Sequence, residues 1–108
     1  MLIEHRTYTV RPGTLKRQLA LYEQFGFHAQ PRNLGRPVAF LVTETGELNS
    51  YVHIWAFSNA GDREQRRGLL AADPEWKEYL EKSAAAAYIV KQESKLMTPA
   101  AFAPLVLS

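Results

Sequence analysis

Leu41-Val-Thr-Glu-Thr-Gly-Glu-Leu-Asn-Ser-Tyr-Val-His-Ile-Trp-Ala-Phe57 reads as two strands joined by a tight turn at Gly46-Glu47. A two-residue turn with glycine first suits type II′ hairpin geometry, which matches the twist of its flanking strands. Strands from about Val38 to Glu44 and from about Asn49 to Phe57 then pair Glu44 with Asn49, Val42 with Tyr51, Phe40 with His53 and Val38 with Trp55. Strand side chains alternate between faces, so Glu44, Asn49, Tyr51, His53 and Trp55 share one face. Ala39, Leu41, Thr43, Ser50, Val52 and Ile54 occupy the other. The first face is rich in functional groups for a strand pair. The two together predict a sheet buried on both sides, with a polar pocket on one.

Leu2 to Val10 alternates and contains β-branched and aromatic residues, so it is read as the first strand. Pro12-Gly13 ends it, because proline lacks a ladder donor and glycine accepts turn angles. A helix follows from Pro12 or Thr14 to about Gly26. Leu15, Leu19 and Tyr22 recur at helical spacing, and Lys16, Arg17, Gln18 and Glu23 are placed outward. Pro31 to Pro37 is a loop by composition. Ser58 to Asp62 offers N-caps for a second helix with Arg63, Glu64, Arg66 and Arg67 outward and Leu69 and Leu70 inward. Asp73-Pro74 restarts that helix, with Trp76, Tyr79 and Leu80 on its apolar face. Tyr88 to Met97 returns to strand character, and Thr98 to Pro104 is an extended arm.

The order β-α-β-β-α-β predicts an α+β, ferredoxin-like domain: one antiparallel four-stranded sheet with helices on one face. Residues 1–108 form a single domain, with 98–108 as its C-terminal arm. The sheet's second face reads as apolar, and exposed apolar faces of that size mark interfaces. A homodimer packing two sheets into a barrel is the economical expectation.

Composition narrows the function. The chain of 108 residues fits one domain, and its net charge of +2 makes no case for nucleic acid. There is no cysteine, so disulfides, zinc-thiolate sites and thiol nucleophiles are excluded. No apolar run reaches the roughly 18 residues a membrane span needs, and Met1 to Arg6 lacks a signal-peptide core. A cytoplasmic protein without membrane insertion is expected.

Several short motifs, in order, resemble the NIPSNAP family, which has the dimeric α+β barrel fold. They are Arg6-Thr-Tyr8 with Pro12-Gly13, Leu34-Gly-Arg36, Thr43-Glu-Thr-Gly-Glu-Leu-Asn49, Val52-His-Ile-Trp-Ala-Phe57, Leu70-Ala-Ala-Asp-Pro-Glu-Trp76 and Gln92-Glu93 through Pro99 and Phe102. Ser94 and Ala103 depart from the family pattern, where asparagine and serine are common. The resemblance implies a fold shared with small cofactor-free monooxygenases, so no cofactor is expected, and it brings no catalytic set to transfer.

The candidate ligand-binding residues are Arg6, Tyr8, Glu44, Asn49, Tyr51, His53 and Trp55. His53 is the candidate base, because an imidazole titrates near neutrality; its bland reading is a hydrogen-bonded core histidine. Glu44 and Asn49 either stabilise the turn or stand at a pocket mouth, and Glu44 is a natural ion-pair partner for Arg6. Trp55, Trp76, Tyr22 and Tyr79 are read as core aromatics, or else as a cavity lining. Arg63, Arg66 and Arg67 are read as a solvated helix face. His5, His28 and His53 lack metal-ligand spacing, so no metal is expected. Three functions follow: a homodimeric binder of an apolar or aromatic metabolite, a cofactor-independent oxygenase or isomerase with His53 as base, and a partner-binding scaffold using the arm from Pro99 to Leu105.

Overall fold

A computed structural model describes residues 1–107. The elements run β1 (Leu2–Val10), α1 (Leu15–Phe25), α2 (Ala29–Leu34), β2 (Ala39–Val42), β3 (Ser50–Phe57), α3 (Ala60–Ala72), α4 (Pro74–Ala86) and β4 (Ile89–Met97). The sheet is antiparallel in the order β2-β3-β1-β4. The ferredoxin-like plan is therefore present, with the second helix interrupted at Asp73-Pro74. Asp73 caps α4 by accepting from the Glu75 amide at 2.9 Å, and Asn59 caps α3 by accepting from the Asp62 amide at 2.8 Å.

The hairpin register holds where it matters: Phe40 faces His53 and Val42 faces Tyr51. Tyr51, His53, Trp55 and Phe57 are buried, and Val52, Ile54 and Ala56 between them are half-buried. That alternation turns the aromatic set toward the helices. Leu34, Trp55, Phe57 and Leu70 form the core beneath α2 and α3, with Trp76 packed against them.

Five expectations are corrected. Residues 29–34 form a helix, α2, where composition suggested a loop from Pro31; Leu34 needs the core, and Asn33 bonds back to the Ala29 carbonyl. The turn is longer than Gly46-Glu47, because β2 ends at Val42 and β3 begins at Ser50, leaving Glu44 and Asn49 outside the ladder. The Asn49 carbonyl instead accepts from the Val10 amide at 2.8 Å. Gln18 points inward and is fully buried. Leu69 is 56% exposed while Leu70 alone enters the core. The sheet's open face is apolar across Ala39, Leu41, Val52 and Ile54, but its β4 margin carries Lys91, Glu93 and Lys95.

The arm after Thr98 has no helix or strand among the described residues, and Ser108, its last residue, lies outside them. It passes beside Ile3, Val38 and Ile54. Among the described residues, no helix is long and apolar enough to cross a membrane.

Gly26 closes α1 where Tyr22 and Tyr79 meet. A Cβ there would lie 2.8 Å from Tyr22 Cδ2 and 3.2 Å from Tyr79 Cδ1. Gly26→Ala is expected to destabilise the fold by about 1–3 kcal/mol through overpacking, measured by urea unfolding. An unchanged midpoint would mean that the Tyr22 ring yields freely.

Candidate functional site

β1 and β3 pair so that Tyr8 faces Tyr51, Arg6 faces His53 and Glu4 faces Trp55. All six side chains lie under the helices. A cavity of about 540 Å³ opens between this surface and α4, with β4 along its edge. Arg6, Tyr8, Tyr51 and His53 line it from the sheet, Gln30 from α2, Arg67 from α3, and Tyr79, Ser83 and Ala84 from α4.

The sheet side is a rack of near-parallel rings. His53 stacks on Tyr8 at 5.0 Å between centroids and on Phe40 at 5.1 Å, and Tyr8 stacks on Tyr51 at 5.1 Å. Trp55 stands behind His53 and donates its indole N–H to His53 Nδ1. Indole is a donor only, so Nδ1 must be the bare nitrogen and the neutral ring carries its proton on Nε2. Burial, and then the nearby Arg6 charge, push His53 down to about 3, which keeps it neutral.

Gln18 stitches the two layers together. Its amide Nε2 donates to the Tyr51 hydroxyl at 3.1 Å and to the Tyr79 hydroxyl at 2.9 Å, while its Oε1 is buried without a partner. Tyr22 donates to Gln30 Oε1 at 2.5 Å. Burial pushes Tyr22, Tyr51 and Tyr79 up, so these phenols stay protonated at neutral pH.

At the Arg67 end the electrostatics are unusual. Glu4 is fully buried and accepts two bonds from Arg63, at 3.0 and 3.1 Å, one from Arg6 Nη1 at 2.8 Å and one from Ser94 at 2.7 Å. Burial alone would raise its carboxyl. The bonds from Arg63, Ser94 and Arg6, with the Arg67 charge, outweigh that and hold it at about 2. Arg6 also donates its Nε–H to the Tyr8 hydroxyl at 2.9 Å. Arg67 lies 3.8 Å from Glu4 Oε1 and makes no hydrogen bond with its buried Nη1.

The family model described as NIPSNAP matches residues 3–104. The chain belongs to the NIPSNAP family. It is 35% identical over 96 residues to a NipSnap homolog of Dictyostelium discoideum, an alignment covering 89% of this chain but only 41% of that protein. A crystal structure of a NIPSNAP family protein with unknown function from Agrobacterium tumefaciens is 40% identical, with a TM-score of 0.88 over 98% of this chain and 94% of that one. An antibiotic biosynthesis monooxygenase superposes with a TM-score of 0.64 at 15% identity, over 93% and 99% of the two chains. At that distance the likeness is one of fold alone.

Within this NIPSNAP domain, Arg6, Tyr8, Tyr51 and His53 converge on the cavity as the strand alternation predicts. Trp55 acts one layer back, through His53. Glu44 is exposed at the hairpin tip and does not meet Arg6, whose carboxylate partner is Glu4. Asn49 also stands outside the cavity. Arg63 and Arg67 face inward to Glu4 rather than forming a solvated face; only Arg66 pairs locally, with Asp62 at 2.9 Å.

Gln18 and Arg67 fall outside the site candidates the sequence offers, and Tyr79 appears only as an alternative cavity lining. Glu4, also missed, lies two residues before Arg6 on the same strand face, and Arg63 and Arg67 are four apart on one helix face. Those two periodicities are the signals that lead to the cluster. Among the described residues, no group of three His, Asp or Glu side chains is arranged to hold a metal.

Proposed function

We propose that the protein is a homodimer whose subunits each bind a small aromatic or otherwise apolar metabolite between the helix layer and the sheet. The observation that carries this reading is the cavity of about 540 Å³ over the ring rack of Tyr8, Tyr51 and His53. Its size is that of a ligand pocket, and its walls combine apolar surface with a few fixed polar groups. The dimer is supported by the open sheet face, where Leu41 is 53% exposed, and by the arm, where Phe102 is 92% exposed. A second copy seated there covers both.

An oxygenase or isomerase with His53 as base is less well supported. His53 Nδ1 is occupied by the Trp55 N–H and Nε2 carries the ring proton, so the ring offers a donor and no free lone pair.

The test uses 2-naphthamide as a neutral aromatic probe. At saturation it is expected to raise Tm by about 5 °C or more. Ala84→Phe, which fills the cavity mouth from α4, is expected to abolish the rise while leaving the fold's circular dichroism intact. Equal shifts in both proteins would place binding elsewhere. Light scattering is expected to give twice the chain mass of 12.2 kDa; a stable monomer would remove the dimer.

A further inference from the structure

We propose that the ligand of this cavity is an aromatic monocarboxylate, with its carboxylate on Arg67 and its ring over Tyr8, His53 and Tyr51. This inference rests on the pocket reading above and names the class of molecule the pocket takes.

Charge at the Arg67 end is unbalanced. Arg6, Arg63 and Arg67 all approach the single carboxylate of Glu4. Glu4 is already engaged by Arg63 through both oxygens, and by Arg6 and Ser94 through one. Arg67 Nη1 is buried 3.8 Å from Glu4 Oε1, beyond hydrogen-bond distance, and the rest of its guanidinium, on a side chain 29% exposed, makes no hydrogen bond with any described residue. A half-buried guanidinium without a hydrogen-bonded acceptor is costly, and its accessible edge can meet a carboxylate. Arg67 lines the same cavity as the ring rack, so one small molecule can meet both.

The remaining polar wall agrees in sign. His53 presents an N–H and no lone pair, because Trp55 occupies Nδ1. The Tyr8 hydroxyl accepts from Arg6 Nε, which leaves its own proton to donate. An anion satisfies such donors, whereas a cation or a donor-rich ligand does not. A single negative charge is indicated over a dianion, because Arg6 and Arg63 are hydrogen-bonded to Glu4 and, of the three, only Arg67 makes no hydrogen bond.

Calorimetric titration with three matched probes tests this: 2-naphthoate, 2-naphthamide and 2-naphthyl phosphate. The carboxylate is expected to bind about 10- to 100-fold more tightly than the amide. Arg67→Met is expected to remove that preference; Arg67→Lys is expected to restore part of it. Equal affinity for carboxylate and amide, both blocked by Ala84→Phe, would overturn the anion and leave the pocket. Tighter binding of the phosphate would overturn the monoanion. Binding of none of the three would overturn both the pocket and the carboxylate. Circular dichroism and unfolding of each variant confirm that it is folded before titration.

Discussion

Glu4→Gln is expected to lower the unfolding free energy by about 3–5 kcal/mol, among the largest effects of any single polar substitution in the chain. The side chain keeps its shape, so the loss is electrostatic. Three guanidinium groups would then face a buried amide, and the amide nitrogen would turn a donor toward other donors. Removing one partner of a buried ion network leaves the others uncompensated, which costs far more than an exposed pair is worth. Arg63→Met in the Glu4→Gln background is expected to recover part of the loss, because it removes one of the stranded charges. A urea double-mutant cycle measures this coupling. A loss under about 1 kcal/mol for Glu4→Gln would mean that water already neutralises the cluster. The same carboxylate gives stability that is complete above pH 4.5 and disappears as pH falls toward 2, since folding holds it at about 2 against the 4.5 of a free glutamate.

How this cluster escaped the sequence reading is instructive beside what did not. The register of β2 on β3 was legible because period-2 alternation and a glycine turn constrain it from both sides; a one-residue slip would have put His53 and Trp55 on the open face. The order of strands and of the longer helices was legible for the same reason, α2 excepted, with caps at Asn59 and Asp73 marking helix starts. Charged residues were not. Arg63 and Arg67 look solvated on a helical wheel; spacing puts them on one helix face, and Glu4 and Arg6 on one strand face, but it does not say that the two faces meet across 59 residues of chain. Gln18 is a similar case: its amide is buried because Tyr51 and Tyr79 arrive from two other elements. Glu44 failed in the opposite direction, since a seven-residue connection from Thr43 to Asn49 carries it to the tip, beyond the ladder that would have aimed it inward. Local pattern determines which face a residue takes. Which partner meets it there depends on tertiary packing.

Acid is expected to weaken the fold beginning near pH 6.5, and His53 is the group responsible. A free imidazole titrates near 6.5, but in the fold burial and then the Arg6 charge hold this one at about 3. The folded state therefore excludes a proton that the unfolded chain accepts. Stability is complete above pH 6.5 and falls as pH drops toward 3, with a loss of about 3 kcal/mol by pH 4 at about 1.4 kcal/mol per unit. Glu4 adds its own loss only below pH 4.5, so the two groups separate along the pH axis. His53→Asn isolates the upper window: its amide oxygen replaces Nδ1 as acceptor for the Trp55 N–H, and it does not titrate. The variant is expected to be less stable at pH 7, having lost the ring stack with Tyr8 and Phe40, yet nearly flat from pH 6.5 to 4.5. Nitrogen NMR of the wild type is expected to show the Nε2–H form throughout that range. A titration midpoint near 6.5 for His53 would contradict the Trp55 bond, and with it the assignment of this ring as a donor in the cavity. A histidine that stays neutral with its proton facing outward from Trp55 is poorly placed to take a proton from a substrate and well placed to hold an acceptor on one.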